Sequence, residues 1–348
     1  MRNVPQLLRI VPLALLVNGV PALAGISFEK ASVAHAALQT PFVQSQIGDT
    51  ERDRSRLQRS RDQWGGIQYP EALDASNINT IYQFQGSYAD ALDYYQQSLA
   101  SKRELGDRAG EANTLNNIGT IYGLQGSYAE ALDFSQQSLT LFRDLGDRAG
   151  EAKSLNNIGS ISQLQGRYAE ALDYYQQSLE LFLTLGDRAS EANTLNNIGT
   201  IYGLQGSYED ALNFSEQSLM LSIELGSRAV EAKSLNSIGT ISQLQGRYVD
   251  ALKYYQQSLA IKRDLGDRAG EAIALGNIGI SYQYQGRYTD ALDYYQQSLA
   301  IKRNLGDRPG EANTLGNIGV IYRFQDRYTD ALDYYQQSLA IKRDLGDR

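Results

Sequence analysis

Side-chain amides are the most regularly spaced of the groups in this sequence that could do chemistry. Asn116 and Asn117 are followed 40 residues later by Asn156 and Asn157, and the pair recurs once more at 196–197. A carboxamide both donates and accepts hydrogen bonds, so a row of amides suits a peptide backbone as well as polar side chains. The candidate ligand-binding residues are Asn113, Asn116, Asn117, Lys153, Asn156, Asn157, Asn193, Asn196, Asn197, Lys233, Asn236, Asn277 and Asn317.

Two structural explanations compete with a binding role for these residues. Helix interiors disfavour Asn without a compensating hydrogen bond, so Asn117 and its equivalents could instead fasten neighbouring backbone. Residues that recur with the repeat could also be copies without function. Lys153 and Lys233 would either attract acidic ligand side chains or be solvated surface residues. Three glutamines extend the polar set: Gln163, Gln243 and Gln283.

The residue types that most catalytic and metal sites use are scarce. The chain has no Cys and a single histidine, His35. It therefore lacks the residues for thiolate chemistry and disulfides, and His35 has no cysteine partner for a catalytic triad. Carboxylates such as Glu130 and Asp133 recur in most units, and repeated acids of this kind are typical of exposed helix faces. We expect no catalytic residue, metal site or cofactor, and no enzyme activity. The net charge of -8 argues weakly against a nucleic-acid partner.

A strict repeat must position the amides. The motif Leu-Gly-Asp-Arg, with one Ser variant, recurs every 40 residues from Arg108 to Arg348 without insertion or deletion. A stack of identical supersecondary units requires such constant phase. The seven units are 69–108, 109–148, 149–188, 189–228, 229–268, 269–308 and 309–348.

Each unit reads as two helices joined by a short turn. In unit 109–148, Leu115, Ile118 and Tyr122 lie on one helical face, and Gly126-Ser127 breaks the pattern before a second helix. Ser127 and Glu130 predict a capping box that opens the second helix.

The end of each unit carries its own signals. Gly146 suits a left-handed turn, Asp147 can cap the next helix, and Pro309 fits a first-turn position. Gly119 in mid-helix predicts a close helix–helix approach, with Ala131 as the facing small residue.

Tyrosine pairs recur in the second helices. Tyr94-Tyr95 and Tyr174-Tyr175 fit helix packing better than aromatic binding cages. Ser135 and Ser215 replace the second tyrosine, and we expect those two units to be less well packed.

These residues resemble the tetratricopeptide repeat pattern. Leu115-x-x-Ile118-Gly119-x-x-Tyr122 and Gly126-x-Tyr128-x-x-Ala131 carry the resemblance, which recurs seven times over about four-fifths of the chain. The 40-residue form, with Arg143 where the usual repeat has proline, is similar to kinesin light chain, Partner-of-Inscuteable and bacterial, notably cyanobacterial, arrays. The resemblance implies an all-α, right-handed α-solenoid of seven helix-turn-helix repeats.

The resemblance also implies a function. The amide face of the first helices would line a concave groove, and the chain would be a non-catalytic scaffold that holds an extended or helical segment of a protein or peptide partner. Two alternatives stay open. The array could be the recognition portion of a larger effector whose catalytic domain, for example a caspase-like protease, is absent here. It could also self-associate through an uncapped last repeat.

The N-terminus predicts export. Arg2 and Arg9 precede the apolar stretch 10–17 and the small residues around Ala24, the order of a secretory signal peptide, residues 1–24. A second cleavage site lies after Ala36. The apolar stretch is too short to span a bilayer. Residues 25–68 are a charged linker, predicted to be disordered or a frayed helix.

We expect the intact mass of the protein recovered outside the cytoplasm to correspond to a chain that begins at Gly25, because the signal would be removed after Ala24. Mass spectrometry of the cytoplasmic and exported fractions measures this. A chain that keeps Met1 and stays in the cytoplasm would contradict export, and a start at Ala37 would place the cleavage at the second site.

Overall fold

The computed structural model describes residues 88–345. The predicted signal peptide, the linker and the first helix of unit 69–108 lie outside the described residues, so those predictions are untested. Within the described part there are thirteen α-helices and no strand. They are α1 Tyr88–Leu105, α2 Arg108–Leu124, α3 Tyr128–Leu145, α4 Arg148–Leu164, α5 Tyr168–Leu185, α6 Arg188–Leu204, α7 Tyr208–Glu224, α8 Arg228–Leu244, α9 Tyr248–Asp264, α10 Arg268–Tyr284, α11 Tyr288–Leu305, α12 Arg308–Phe324 and α13 Tyr328–Asp344.

The helices pack in the order of the chain. The pairs from α2·α3 to α12·α13 are the six complete hairpins, each with a first and a second helix, and α1 is the second helix of unit 69–108. Each second helix also packs against the first helix of the following unit. The predicted α-solenoid is confirmed for these residues. Among the thirteen helices, none has both the length and the apolar character that a bilayer crossing requires.

Apolar side chains are shared between consecutive units. Leu139 of α3 forms one buried cluster with Leu155 and Ile158 of the next unit. Phe142 lies directly over Gly150, where any side chain would collide with its ring. Stability therefore comes from a series of nearest-neighbour interfaces.

The two helices of a unit approach each other as closely as Gly119 predicts. A Cβ added at Gly119 would lie 2.9 Å from the Ala131 carbonyl oxygen, and Ala131 itself is fully buried. The Ser138 hydroxyl of α3 donates to the Ala112 carbonyl of α2 at 2.8 Å. The same serine-to-carbonyl bond closes the five other complete hairpins, at 2.6 to 2.8 Å.

The two units that carry serine in place of the second tyrosine are packed differently from our expectation. Their helices are closer together. A Cβ added at Gly119 or Gly199 would lie 2.9 Å from the carbonyl oxygen of the facing alanine, whereas at Gly159 the same distance is 3.3 Å. Serine needs less room than a phenol ring, which accounts for the difference. The cost falls on hydrogen bonding, because the buried Ser135 and Ser215 hydroxyls have no partner.

One predicted cap is wrong. Ser127 makes no side-chain cap bond at the start of α3. Its backbone N–H donates to the Tyr122 carbonyl at 2.9 Å, so the donor that Glu130 would need is already taken. The capping box therefore cannot form in this turn. Arg167 occupies the same position in the next unit and also makes no side-chain cap bond.

The other end signals are confirmed. The Asp147 carboxylate accepts from the Gly150 N–H at 2.9 Å and caps α4. Gly146 has a φ of 69°, the left-handed conformation that closes a helix, and Pro309 lies in the first turn of α12.

The last described helix is covered on fewer sides than its equivalents. Leu339 of α13 is 47% exposed, whereas Leu299 at the same position of the preceding unit is 6% exposed. In the inner units, the first helix of the following unit covers this face.

Alanine substitutions at two mid-helix glycines should have opposite effects. Gly199→Ala should lower the free energy of unfolding by about 1–3 kcal/mol, because its Cβ would lie 2.9 Å from the Ala211 carbonyl oxygen. Gly276→Ala should raise it by up to about 1 kcal/mol, since its Cβ would meet only Ser298 Oγ at 3.6 Å and alanine favours the helix. Urea denaturation followed by circular dichroism measures both. Equal effects at the two positions would show that the close approach is not the constraint.

Candidate peptide-binding face

The candidate binding residues lie on the first helices. The first helices of neighbouring units approach each other more closely than the second helices do, so they occupy the inner side of the curved stack. The amide face is therefore the inner face, which we define as the side of α2, α4, α6, α8, α10 and α12 that carries the candidate binding residues.

Several predicted amides connect one unit to the next. Asn156 Nδ2 donates to Thr194 Oγ1 at 2.8 Å, and Asn197 Nδ2 donates back to Asn156 Oδ1 at 3.4 Å. Asn277 Nδ2 donates to Asn236 Oδ1 at 3.1 Å, and both residues are buried. These bonds join side chains 38 and 41 residues apart, so they fasten adjacent first helices.

A second group of amides keeps unused hydrogen-bonding capacity. Asn196 is fully buried, and neither its Nδ2 nor its Oδ1 has a hydrogen-bond partner. Asn116 Oδ1 and Asn193 Oδ1 are buried and unpartnered as well. A buried polar group without a bond costs about 1–3 kcal/mol, so an amide that turns outward to meet the backbone of a ligand would recover that cost.

The remaining predicted amides lie at the ends or edges of the face. Asn113 is exposed and donates to the Ala109 carbonyl of its own helix at 3.0 Å. Asn117 and Asn317 are half-buried. Asn157 Nδ2 makes a long bond of 3.4 Å to Thr120 Oγ1 of the preceding unit.

Lys153 and Lys233 occupy the same position in two units but differ in environment. Lys153 is exposed, whereas Lys233 is 4% exposed and its Nζ donates to Asn197 Oδ1 at 3.0 Å. Burial, together with the nearby charge of Lys262, lowers the pKa of Lys233 to about 7. Burial also lowers the pKa of Lys262 to about 8, against the attraction of Asp267. The middle of the array therefore holds two lysines whose charge changes near neutral pH.

The three glutamines on the first helices bond to the second helices of their own units. Gln163, Gln243 and Gln283 accept from tyrosine hydroxyls of their own units at 3.0, 3.5 and 2.8 Å. Those rings, Tyr175, Tyr255 and Tyr295, are buried, so the second tyrosine of these three pairs packs in the core. Burial raises the pKa of each of the three hydroxyls.

Sequence reasoning missed the hydroxyl partners of the amides. Thr194 accepts from Asn156 and also donates to the Ser190 carbonyl at 2.8 Å, so it links two units. A threonine or serine recurs at this position in most units, and that repetition is the signal that could have found it. Within residues 88–345, no three His, Asp or Glu side chains converge into a metal site.

The sequence matches a model of the tetratricopeptide repeat family over residues 71–144, 150–222, 230–304 and 271–344. No curated protein matches it.

Several solved structures have a similar fold. A Rap protein complexed with Competence and Sporulation Factor is 13% identical, with a TM-score of 0.61 over 97% of this chain and 99% of the other. BtubC of P. vanneervenii is 18% identical, with a TM-score of 0.52 over 64% of this chain and 91% of the other. The third is a STAND protein with a tetratricopeptide repeat sensor from Pyrococcus horikoshii. It is 14% identical, with a TM-score of 0.56 over 78% of this chain and 42% of the other. At these identities the similarity concerns the fold alone.

The stability of the array should rise with pH between about pH 7 and pH 9. The folded state holds the pKa of Lys233 near 7, below the 10.5 of an exposed lysine, so the unfolded chain binds more protons in this range. Because that difference persists over this range, raising the pH stabilises the folded state by about 1–2 kcal/mol.

Lys233→Met should reduce this rise, and Lys153→Met, at the exposed equivalent, should leave it unchanged. Thermal unfolding at pH 7, 8 and 9 provides the comparison. A Lys233→Met protein with the full wild-type rise would show that Lys233 is not its source.

Proposed function

Because the chain belongs to the tetratricopeptide repeat family, we propose that it is a protein-interaction scaffold whose inner face holds an extended peptide segment of a partner. The peptide would run across the first helices, and its backbone would bond to amides that the fold leaves unpaired. The proposed role is binding without catalysis, in the compartment to which the N-terminal segment would export the chain.

The carboxamide of Asn196 is the observation that carries this proposal. It lies on α6, in the middle of the inner face, and both of its polar atoms are buried and unpartnered. Its neighbour Asn197 is bonded to both adjacent units and contributes to the stack. Of the two adjacent asparagines, Asn197 joins the units, and Asn196 would bond to the ligand once its buried side chain turns outward.

The two halves of the array differ in charge, which favours one orientation of a bound peptide. Units 69–228 carry a net charge of -12 and units 229–348 carry +1. A peptide with a basic and an acidic end would align with this gradient, and salt would weaken the preference. A Rap protein of the same fold has been solved in complex with Competence and Sporulation Factor, and the archaeal STAND protein uses its repeats as a sensor, which supports a recognition role.

Asn196→Ala should weaken peptide binding without lowering stability. The probe is a peptide selected from a displayed library of random sequences against the wild-type protein, with its affinity measured by fluorescence anisotropy. Loss of the bonds to the Asn196 amide should cost about 1–3 kcal/mol, which is about 5- to 150-fold in Kd. Asn197→Ala should lower the melting temperature, because it removes bonds to Asn156 and Lys233.

Asn213→Ala is the matched control and should bind like the wild type, since Asn213 is an exposed amide on a second helix and is bonded only within that helix. The proposal fails if selection yields no peptide, or if Asn196→Ala binds the selected peptide as tightly as the wild type.

A further inference from the structure

The outer edge of the stack departs from the repeat in two consecutive units. Near the end of the second helix, four described units carry an arginine whose Nε donates to a glutamate eight residues further on, at 2.7 to 2.9 Å. These pairs join each second helix to the next first helix: Arg103–Glu111, Arg143–Glu151, Arg263–Glu271 and Arg303–Glu311. Units 149–188 and 189–228 have Leu183 and Ile223 there instead.

Both apolar replacements are exposed. Leu183 is 55% and Ile223 58% exposed, so neither contributes much to a core. Met220, one turn before Ile223 on α7, is 72% exposed, the most exposed large apolar side chain in the described part of the chain. Alanine stands at the Met220 position in the last three units, so the repeat does not require a large side chain there. We call Leu183, Met220 and Ile223 the outer patch.

The outer patch lies among acidic side chains. On α7, Glu216 precedes Met220 by four residues and Glu224 follows it by four, so all three share one helical stripe. On α5, Glu180 precedes Leu183 by three residues. Neither α5 nor α7 contains a lysine or arginine, and every other second helix in residues 88–345 contains at least one.

One ion pair is missing beside the outer patch. Arg188 donates both terminal nitrogens to Glu224, at 2.9 and 3.0 Å, as Arg108 and Arg308 pair with the acids 36 residues further on. Arg188 makes no bond to Glu191, whereas Arg148 and Arg308 pair with the glutamate at the equivalent position. Glu191 consequently has no ion-pair partner within residues 88–345. The surroundings of the patch therefore keep an uncompensated negative charge.

We propose that the outer patch is a second docking surface, which binds a basic amphipathic helix of a partner protein. Met220 and Ile223, three residues apart on α7, and Leu183 on α5 would receive the apolar stripe of a helix laid across α5 and α7. Lysine or arginine beside that stripe would pair with Glu180, Glu191 and Glu216. This surface is on the second helices, so it is separate from the inner face and does not depend on the function proposed for that face.

The test uses a synthetic amphipathic peptide of about 18 residues of leucine and lysine, and a counterpart with glutamate in place of lysine. Fluorescence anisotropy at about 0.15 M salt measures the affinity of each for the full chain. We expect the lysine peptide to bind and the glutamate peptide not to bind. Leu183→Gln with Ile223→Gln, which leaves the net charge unchanged, should weaken binding at least about tenfold, because the apolar contact is lost.

Val249→Gln is the matched control, because Val249 is 62% exposed at the other end of a second helix. It should bind the lysine peptide like the wild type. If the Gln double variant is unstable, Leu183→Arg with Ile223→Arg restores the residue type of the other units, offers Glu191 a partner, and should weaken binding equally.

Three results would overturn the proposal. The first is equal affinity of the wild type and the folded double variants. The second is an equal loss with Val249→Gln, which would mean nonspecific attraction to the acidic array. The third is a wild-type protein that forms dimers in sedimentation velocity while the double variant is monomeric, since the occupant of the patch would then be a second copy.

Discussion

The contact between the two helices of a unit sets the geometry on which the whole array depends. Gly119 removes a side chain where α2 meets α3, Ala131 supplies a small residue opposite it, and the Ser138 hydroxyl bonds to the Ala112 carbonyl. The bond stays within 2.6 to 2.8 Å in every complete hairpin. Each hairpin therefore presents nearly the same surface to the next one, and identical surfaces stack with a constant rotation.

Under the proposed function, polar side chains on the inner face would serve both the stack and a ligand. Both polar atoms of the Asn197 amide are bonded within the stack, because Nδ2 donates to Asn156 and Oδ1 accepts from Lys233. Asn196, the next residue, turns its amide to a place where the protein offers no partner. Recognition on such a surface would depend on the few groups that inter-unit bonding leaves over, so the repeated amides would not be equivalent in binding.

Departures from the repeat carry information that the repeat itself does not. The arginines of the four arginine–glutamate pairs are about half exposed and their glutamates are largely buried, so the change to Leu183 removes from Glu191 the partner that its equivalents have. The changes to Leu183 and Ile223 leave apolar side chains in water beside unpaired acids, which has no benefit for an isolated solenoid. The burial of Lys233 is a departure of the same kind, since Lys153 at the equivalent position is exposed.

The sequence by itself determined the architecture of the described residues. Constant 40-residue phase and apolar periodicity specify the hairpins, and Gly119, Gly146 and Asp147 specify their close approach and ends, because these features depend on local geometry. Only the tertiary structure decided which polar groups are free. Asn196 and Asn197 have the same side chain, and the difference between them arises from residues about 40 positions away. The capping box failed for a related reason, because the turn at Gly126 assigns the Ser127 N–H to Tyr122 before Glu130 can reach it.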